Sequence, residues 1–366
     1  MTGVQTCALP ISTYEPCKHE GEEYEAIFSL DKAQYRRKDG NILTKLDVSI
    51  ASYDNTEIRK LIITNNSDST RYIEVTSYME VTLSTYEADV AHPSFSNLFI
   101  NTEYIEEDQC ILASRRPRSK GEKRKYLANK IISKGDTVGA LQYETNRLNF
   151  IGRNRNLSNP YTMESEVPLK NTVGYVLDPI ISLRRVFKIK KGQSAQIAFI
   201  TSVSDDKEDI LDIVNRYETI KDIDRAFNIA NNEVKSELQQ LGITSNQANL
   251  YQILASKIIF LNDSKREREE YLKGIKRSQK NLWSYGISGD YPIVLVKASK
   301  NQDLELIAQV LMAYKYLNKK SIKFDCIILN EEDSSYDEPL QKEIKQIIGK
   351  LGLSNKEEKR DRKSVV

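Results

Sequence analysis

The residues best suited to chemistry in this sequence form a basic cluster within one short segment. Beside Pro117 and Gly121 lie Arg115, Arg116, Arg118, Lys120, Lys123, Arg124 and Lys125. Guanidinium and ammonium groups at this density bind phosphate or another polyanion. Charge runs also form solvated loops between strands. The sequence leaves both interpretations open, with Arg115 and Arg116 as candidate substrate-binding residues.

A second candidate site lies in the segment 282–296, which holds the only tryptophan, Trp283. Indole rings stack on sugars, but they also anchor cores and interfaces. Gly286-Ile-Ser-Gly-Asp290 has glycines like a phosphate loop, but it lacks the Gly-Lys-Ser/Thr of that motif and precedes an apolar strand. We therefore interpret it as a tight turn, in which Asp290 bonds to neighbouring backbone. Trp283 and Asp290 complete the candidate substrate-binding residues.

Other kinds of chemistry find little support. His92, one of two histidines, precedes Pro93 at an expected strand start and is interpreted as a hydrogen-bonded structural residue. The four cysteines show no CxxC spacing, which predicts neither a disulfide framework nor a zinc site. The acidic run 330–333 ends an expected strand of an α/β unit, where ligands and simple acidic caps both occur. The sequence itself predicts no catalytic residue, metal or cofactor.

Composition narrows the class of protein. Hydrophobic residues make up 39% and charged residues 29% of the 366 positions, values typical of a soluble globular protein. The formal charge of +2, with interspersed signs, favours neither nucleic acid nor an anionic membrane as a partner. No apolar run approaches the ~20 residues that span a bilayer. The sparse, unpaired cysteines predict a reducing, cytoplasmic location.

The elements that must position these residues begin with strands. From about 24 to 203 apolar residues alternate with polar ones, as in Leu46, Val48 and Ile50, which predicts antiparallel strands with one buried face. Turn residues separate the runs, and Lys190-Lys191-Gly192-Gln193 predicts a hairpin between its flanking strands. The stretch is long for one small sandwich, so we expect a large two-sheet β super-sandwich.

The period changes at Ser204. Asp205 with Glu208 predicts the start of a first helix, and Gly242 predicts the end of a second. A third helix presents Leu250, Ile253, Leu254 and Ile258, and the charged stretch 265–280 is expected to cover a surface. Apolar strands at 292–296 and 324–329 flank a helix at about 303–318, with another at about 339–350. This order predicts a parallel βαβ unit that is truncated, because two strands are too few to be stable alone.

Six segments in fixed order resemble one family. They are the segments 92–104 (HPSFSNLFINTEY), 114–119 (SRRPRS), 150–155 (FIGRNR), 177–185 (LDPIISLRR), 282–296 (LWSYGISGDYPIVLV) and 327–331 (IILNE). Together they resemble the phosphorylase-like module of cyclic β-1,2-glucan synthases and 1,2-β-oligoglucan phosphorylases, in glycoside hydrolase family 94. The resemblance covers roughly residues 20–350.

The resemblance implies a β-rich multidomain fold: a carbohydrate-binding-like super-sandwich at 20–203, linker helices at 204–280 and a partial α/β unit at 281–350. It further implies a parent enzyme that acts on β-1,2-glucan with inorganic phosphate. The catalytic aspartic acid of such enzymes belongs to an α/α barrel for which this chain has no residues, so the chain is expected to be inactive alone. The expected partners are the remainder of the parent chain and, in a synthase, an inner membrane that anchors the parent.

Two further points stay open at this stage. A stand-alone carbohydrate-binding or interaction sandwich, without an enzymatic parent, fits the strand pattern equally well. The segments 1–12 and 358–366 resemble translated sequencing-adapter text, and we expect them to be non-native and to pack against nothing. A signal peptide is not indicated at 1–12, which has no basic start and only a short apolar run.

Overall fold

The computed structural model describes residues 18, 20–164, 167–260, 270, 273–274, 276–332 and 339–353. The chain forms two compact units, Met1–Lys235 and Ser236–Val366. The first unit contains two β-sheets with flanking helices, and the second contains helices and a small parallel sheet. The segments 1–12 and 358–366 lie outside the described residues, as does much of the charged stretch 265–280.

The larger sheet of the first unit has nine antiparallel strands. In spatial order they are β1 (Glu23–Phe28), β2 (Ala33–Asp39), β3 (Ile42–Ile50), β4 (Thr56–Asn65), β13 (Ser194–Ser204), β9 (Lys125–Lys134), β8 (Cys110–Arg115), β7 (Ile100–Ile105) and β11 (Gly174–Tyr175). The first four strands form a meander, and β13 then joins β4 to β9 across a long sequence separation.

A smaller antiparallel sheet packs on the larger one. Its strands are β10 (Thr137–Asn146), β12 (Pro179–Ile189) and β5 (Arg71–Thr76), and the short β6 (Met79–Glu80) also pairs with β12. Between the two sheets lies one apolar cluster, with Ile63, Ile111 and Ile197 from the large sheet and Leu183 and Phe187 from the small one. The alternation in the sequence therefore arises from two facing sheets, and the predicted antiparallel super-sandwich is confirmed.

The predicted hairpin at 190–193 is wrong. A turn does form there, with Gln193 N–H donating to the Lys190 carbonyl at 3.0 Å, but β12 and β13 belong to different sheets. The buried Asn65 holds this crossing: its Nδ2 donates to the carbonyls of Ser69 and Ile189, and its carbonyl accepts from Gly192 N–H. Turn residues predict a reversal of the chain but not which sheet the next strand joins.

The expected strand start at His92 is also wrong. His92 is exposed and lies between two short helices, α1 (Tyr86–Ala91) and α2 (Pro93–Asn97), and β7 begins only at Ile100. Pro93 occupies the first position of α2, where its missing N–H leaves no helical hydrogen bond unmade. A proline after a histidine is compatible with both contexts, and here the helix forms.

Helices cover the outer face of the large sheet. After α3 (Arg147–Ile151) come α4 (Lys207–Asn215) and α5 (Ile220–Leu241). Asp206, rather than the predicted Asp205, caps α4 by accepting from Glu208 and Asp209 N–H. Beyond α4, the buried Tyr217 donates its hydroxyl to Asp54 at 3.1 Å, which ties the helices to the β3–β4 turn.

The second unit contains the predicted βαβ unit. Its elements are α6 (Ser245–Ile259), β14 (Ile293–Ala298), α7 (Leu304–Lys319), β15 (Asp325–Asn330) and α8 (Pro339–Lys350). The strands β14 and β15 pair in parallel, as predicted, with Ile293 opposite Asp325. Helix α7 buries Ile307, Leu311, Tyr314 and Leu317, and Tyr314 meets Phe324 edge-on at 5.2 Å.

The predicted apolar face of α6 is wrong. Leu250 and Ile253 are 54% and 58% exposed, whereas Ala248, Tyr251 and Ala255 are buried. Tyr251 packs against Tyr316 of α7, with ring centroids 5.9 Å apart. The buried side of α6 is the one that packs on α7. It consists of the small residues Ala248 and Ala255 and the ring of Tyr251. Of the predicted face, Leu250 and Ile253 are therefore exposed, while Leu254 and Ile258 are half-buried.

Candidate functional site

Four of the six family-like segments meet at one end of the sandwich. Arg116 N–H donates to the carbonyl of Phe99 at 2.9 Å, which joins 114–119 to 92–104. Asn97 Nδ2 donates to Asp178 Oδ1 at 3.3 Å, which joins 92–104 to 177–185. The hydroxyl of Tyr78 lies near this junction, and its ring packs on Phe150 of the segment 150–155 at 5.0 Å. Segments far apart in sequence thus share one region.

The basic cluster does not form a single anion site. The guanidinium of Arg115 is buried, pairs with Glu122 and lies 5.8 Å from the ring centroid of Phe99. Arg116 and Arg118 lie over the same ring at 5.5 Å each. Arg118 also lies 5.0 Å from the centroid of Phe95. Cation–π contacts of this kind hold guanidinium groups flat on an apolar surface. The prediction that Arg115 and Arg116 bind substrate remains a prediction, and both guanidinium groups lie over Phe99, with Arg115 buried and Arg116 exposed.

Two carboxylates, Glu122 and Asp205, bind part of the cluster. The backbone N–H of Arg118 donates to Glu122 at 2.7 Å, and this bond with the Arg115 guanidinium lowers the pKa of the Glu122 carboxyl. Lys125 and Lys123 both face Asp205, whose pKa they lower. The segment carries seven bases, and the carboxylates of Glu122 and Asp205 offset only part of its positive charge.

A polar cluster around Arg147 was not predicted from the sequence. Arg147 Nε donates to Glu80 at 3.1 Å, and its Nη1 lies 3.6 Å from Asp178. The Tyr78 hydroxyl donates to the same Glu80 carboxylate at 2.8 Å. Burial raises the pKa of Asp178 and of Tyr78. Only Asp178 lay in a family-like segment, and no local spacing connects it with Glu80 or Arg147.

Exposed apolar side chains adjoin this cluster. Leu98, Leu148 and Leu177 are 50%, 63% and 79% exposed, and each is next in sequence to Asn97, Arg147 or Asp178. Tyr175, opposite Asn101 in the β7–β11 pair, is 69% exposed. We call these four side chains the apolar rim. Exposed apolar groups around a polar centre mark an interaction surface.

Arg184 fixes the loop beneath this end of the sandwich. Its side chain is buried and donates to the carbonyls of Val167 and Thr162 at 2.7 and 2.6 Å and to Thr76 Oγ1 at 2.9 Å. It also pairs with Glu74 at 3.1 Å. Burial lowers the pKa of Arg184 and raises that of Glu74, while their ion pair opposes both shifts. Arg184, the first of the two arginines in LDPIISLRR, therefore stabilises the fold.

Trp283 and Asp290 lie in the second unit, on a compact turn. Trp283 is 59% exposed, and its Nε1 donates to the Ser288 carbonyl at 3.2 Å. Asp290 accepts from Gln279 Nε2 at 3.2 Å, and its N–H donates to Ser288 Oγ at 3.2 Å. Gly289 has φ +73°, and a Cβ there would lie 2.9 Å from Gln279 Cγ. The tight-turn interpretation of 286–290 agrees with these contacts, but the Asp290 carboxylate bonds to the Gln279 side chain rather than to neighbouring backbone.

No metal centre is evident in the described parts of the chain, where no three His, Cys, Asp or Glu side chains come together. Cys110 and Cys326 are buried, and burial raises the pKa of the Cys110 thiol to about 12. None of the helices formed by the described residues has both the length and the apolar character needed to cross a bilayer.

Comparison with known proteins now identifies the family. The family model of the glycosyl hydrolase 94 supersandwich domain matches residues 9–220. The chain belongs to this family. The supersandwich match includes both sheets and α4, together with the Asn97–Asp178 junction and the apolar rim.

The glycosyl hydrolase 94 chain is also similar to a curated relative. It is 31% identical over 342 residues to the cyclic beta-(1,2)-glucan synthase NdvB of Rhizobium meliloti (strain 1021), which covers 93% of this chain and 12% of that protein. Among solved structures, a bacterial glucoamylase complexed with acarbose aligns with a TM-score of 0.33 and 11% identity over 64% of this chain and 32% of that one. A galactose mutarotase related enzyme from Lactobacillus acidophilus aligns with a TM-score of 0.24 and 9% identity over 50% and 71%.

Proposed function

We propose that this chain is the non-catalytic, N-terminal part of a β-1,2-glucan-processing enzyme of the cyclic β-1,2-glucan synthase type. The observation that carries the proposal is the supersandwich match together with 31% identity to a cyclic beta-(1,2)-glucan synthase across 93% of the chain. In this proposal the parent enzyme uses β-1,2-glucan and inorganic phosphate and requires no cofactor. It works in the cytoplasm, anchored to the inner membrane where the parent is a synthase.

The proposal assigns roles to segments of the chain. Residues 20–203 face carbohydrate and the remainder of the parent, residues 204–280 link, and residues 281–350 form part of an α/β subdomain. Trp283 and Arg116 are the candidate sugar-facing side chains, because both are exposed. Arg115 and Asp290 hold their own loops, because their polar groups engage Glu122 and Gln279.

The apolar rim supports a protein partner at the end of the sandwich. Leu177, at 79% exposed, and Leu148, at 63%, would be costly to keep in water and gain free energy when covered. Between them, Arg147 and Asp178 provide a charged centre that fixes orientation. We assign this surface to the remainder of the parent chain, since the relative is far longer than the part it shares with this chain.

A chimera tests the proposed function. The matched segment of the Rhizobium meliloti synthase is replaced by residues 20–350 of this chain, and cyclic β-1,2-glucan formation is measured in cells that lack their own synthase. We expect product from the chimera and none from a matched chimera that carries an unrelated β-sandwich. Leu177→Arg in the chimera is expected to reduce product at least about tenfold, because a charge would then face the covered surface.

The stand-alone alternative predicts other results. A carbohydrate-binding sandwich without an enzymatic parent would give no product in the chimera. Expressed alone, the chain is expected to release no glucose 1-phosphate from β-1,2-linked glucose oligomers and phosphate, because positioning without a proton donor leaves the barrier almost unchanged. Turnover by the purified chain, abolished by replacing a carboxylate within 20–350, would contradict the assignment.

A further inference from the structure

A cleft lies at the end of the large sheet where β4 and β9 begin and β13 ends. Its volume is about 830 Å³, within the range of small-molecule sites. It is lined by Asn55, the Leu83–Thr85 loop, residues of the 121–126 segment and the end of β13 at Val203–Asp205. These segments all belong to the first unit, and Ser204 faces Tyr126 across the β13–β9 register.

The charges that line the cleft are balanced. Two ammonium groups, Lys123 and Lys125, stand against two carboxylates, Glu122 and Asp205. Both carboxylates have lowered pKa values and are ionised at neutral pH, because hydrogen bonds and bases stabilise their charge. A phosphate or polyanion would meet these carboxylates as well as the lysines. A neutral ligand meets no net repulsion.

The same groups suit a ligand with many hydroxyls. An ammonium has three donors, and the bond to Asp205 uses one of those of Lys125. A carboxylate offers about four acceptor positions, more than Glu122 spends on the Arg118 N–H and the Arg115 guanidinium. Val203, 41% exposed, and the half-buried ring of Tyr126 add apolar surface for the C–H face of a pyranose.

We propose that this cleft binds a neutral glucose oligosaccharide and serves as a glucan-holding site on the first unit. The proposal rests on the proposed function for its choice of β-1,2-linked glucose. The cleft would retain a growing or shortening glucan on the enzyme. It also gives the basic segment a role that differs from the predicted phosphate binding.

Calorimetric titration of the full 366-residue chain with a β-1,2-linked glucose trisaccharide tests this site. Val203→Arg fills the cleft with a long side chain, and its matched control is Val138→Arg. Both valines are 41% exposed and lie in strands, but Val138 is in β10, away from the cleft lining. We expect Kd to rise at least about tenfold in V203R and to stay unchanged in V138R.

Two further variants of the cleft lining keep the test decisive if V203R does not fold. Gly121→Trp adds bulk at a lining position where a Cβ meets nothing within 4 Å, so the backbone is expected to accommodate it. Asp205→Asn removes one charged acceptor and is expected to weaken the trisaccharide several-fold. Circular dichroism and thermal melting confirm that each variant is folded before affinities are compared.

Several outcomes would overturn the cleft proposal. These are equal affinities of V203R and V138R, loss of binding in Trp283→Ala instead, or no heat from the trisaccharide at about 10 mM. If inorganic phosphate binds the chain and the V203R substitution abolishes that binding, the cleft is an anion site instead. The proposed function is judged separately by the product of the chimera, so an active chimera without cleft binding rejects the cleft alone.

Discussion

Two apolar strand sequences in this protein, both of which begin with Pro-Ile, are buried to different degrees. Strand β12 begins Pro-Ile-Ile-Ser-Leu at 179–183, and Pro-Ile-Val-Leu-Val at 292–296 leads into β14. Ile180, Ile181 and Leu183 are fully buried, whereas in the second segment Val296 is buried but Ile293 and Leu295 are 40% and 53% exposed. An apolar strand sequence indicates that the strand gains stability when it is buried. Whether it is buried depends on the sheets, helices and loops that pack against it.

The comparison separates a complete region from an incomplete one. The sandwich covers β12 with the large sheet on one side and the loop anchored by Arg184 on the other. The small parallel sheet of the second unit has α7 and α8 but leaves part of β14 open within that unit. We therefore expect stability to depend on polar contacts in the first region and to tolerate change on the open part of the second.

The largest effect is expected from Arg184→Met. The substitution leaves Glu74 without its buried partner and two carbonyls without their donor, which we expect to reduce the free energy of unfolding of the first unit by about 3–5 kcal/mol. Denaturant unfolding measures the loss. The matched control is Arg185→Met, a partly exposed neighbour bonded to Gln109, with an expected loss within about 1 kcal/mol. Equal losses for both would contradict the anchoring role.

A smaller effect is expected from Asn65→Ala at the crossing between sheets. Asn65 donates to two carbonyls and accepts from Ser67, all in buried surroundings, so the loss is expected to be about 2–3 kcal/mol. The exposed neighbour Asn66 supplies the control, and Asn66→Ala is expected to stay within about 0.5 kcal/mol. Similar stabilities of the two variants would mean that the crossing is held by other contacts.

The smallest effect tests the comparison itself. Leu295→Ala, on the open part of β14, is expected to change the free energy of unfolding by no more than about 0.5 kcal/mol. Leu183→Ala on β12 removes as many atoms from a fully buried site and is expected to cost about 2–5 kcal/mol. Thermal unfolding of both variants gives the contrast. A large loss at Leu295 would show that β14 is covered on both sides.

The sequence was sufficient for the periodic parts of the fold. Alternation such as Leu46–Val48–Ile50 predicted paired sheets, and the apolar strands after Gly289 predicted parallel pairing. It failed where the outcome depends on remote neighbours: β12 and β13 join different sheets, and α6 buries Tyr251 rather than Leu250. A local pattern shows which residues are apolar. It does not show which of two apolar surfaces packs against the neighbouring element.

The candidate site was only partly accessible from the sequence for the same reason. The basic cluster was visible, but the carboxylates that offset part of its charge include Asp205, which is 80 residues from Lys125. Glu80 and Arg147, 67 residues apart, lie in no family-like segment. Single side chains that meet across such distances leave no spacing to detect. Trp283 was found because it is the only one of its type.

The pairing of β4 with β13 has a consequence during synthesis. Thr64 of β4 bonds to Ser194 of β13, and 130 residues separate them. At about 5–20 residues per second a ribosome needs roughly 7–26 s to make that interval. Until β13 is made, the β4 edge of the β1–β4 meander lacks its partner, although the strands of the small sheet are all made before β13. We therefore expect the nascent chain to expose the unpaired edge of β4, to which a chaperone can bind until β13 pairs with it.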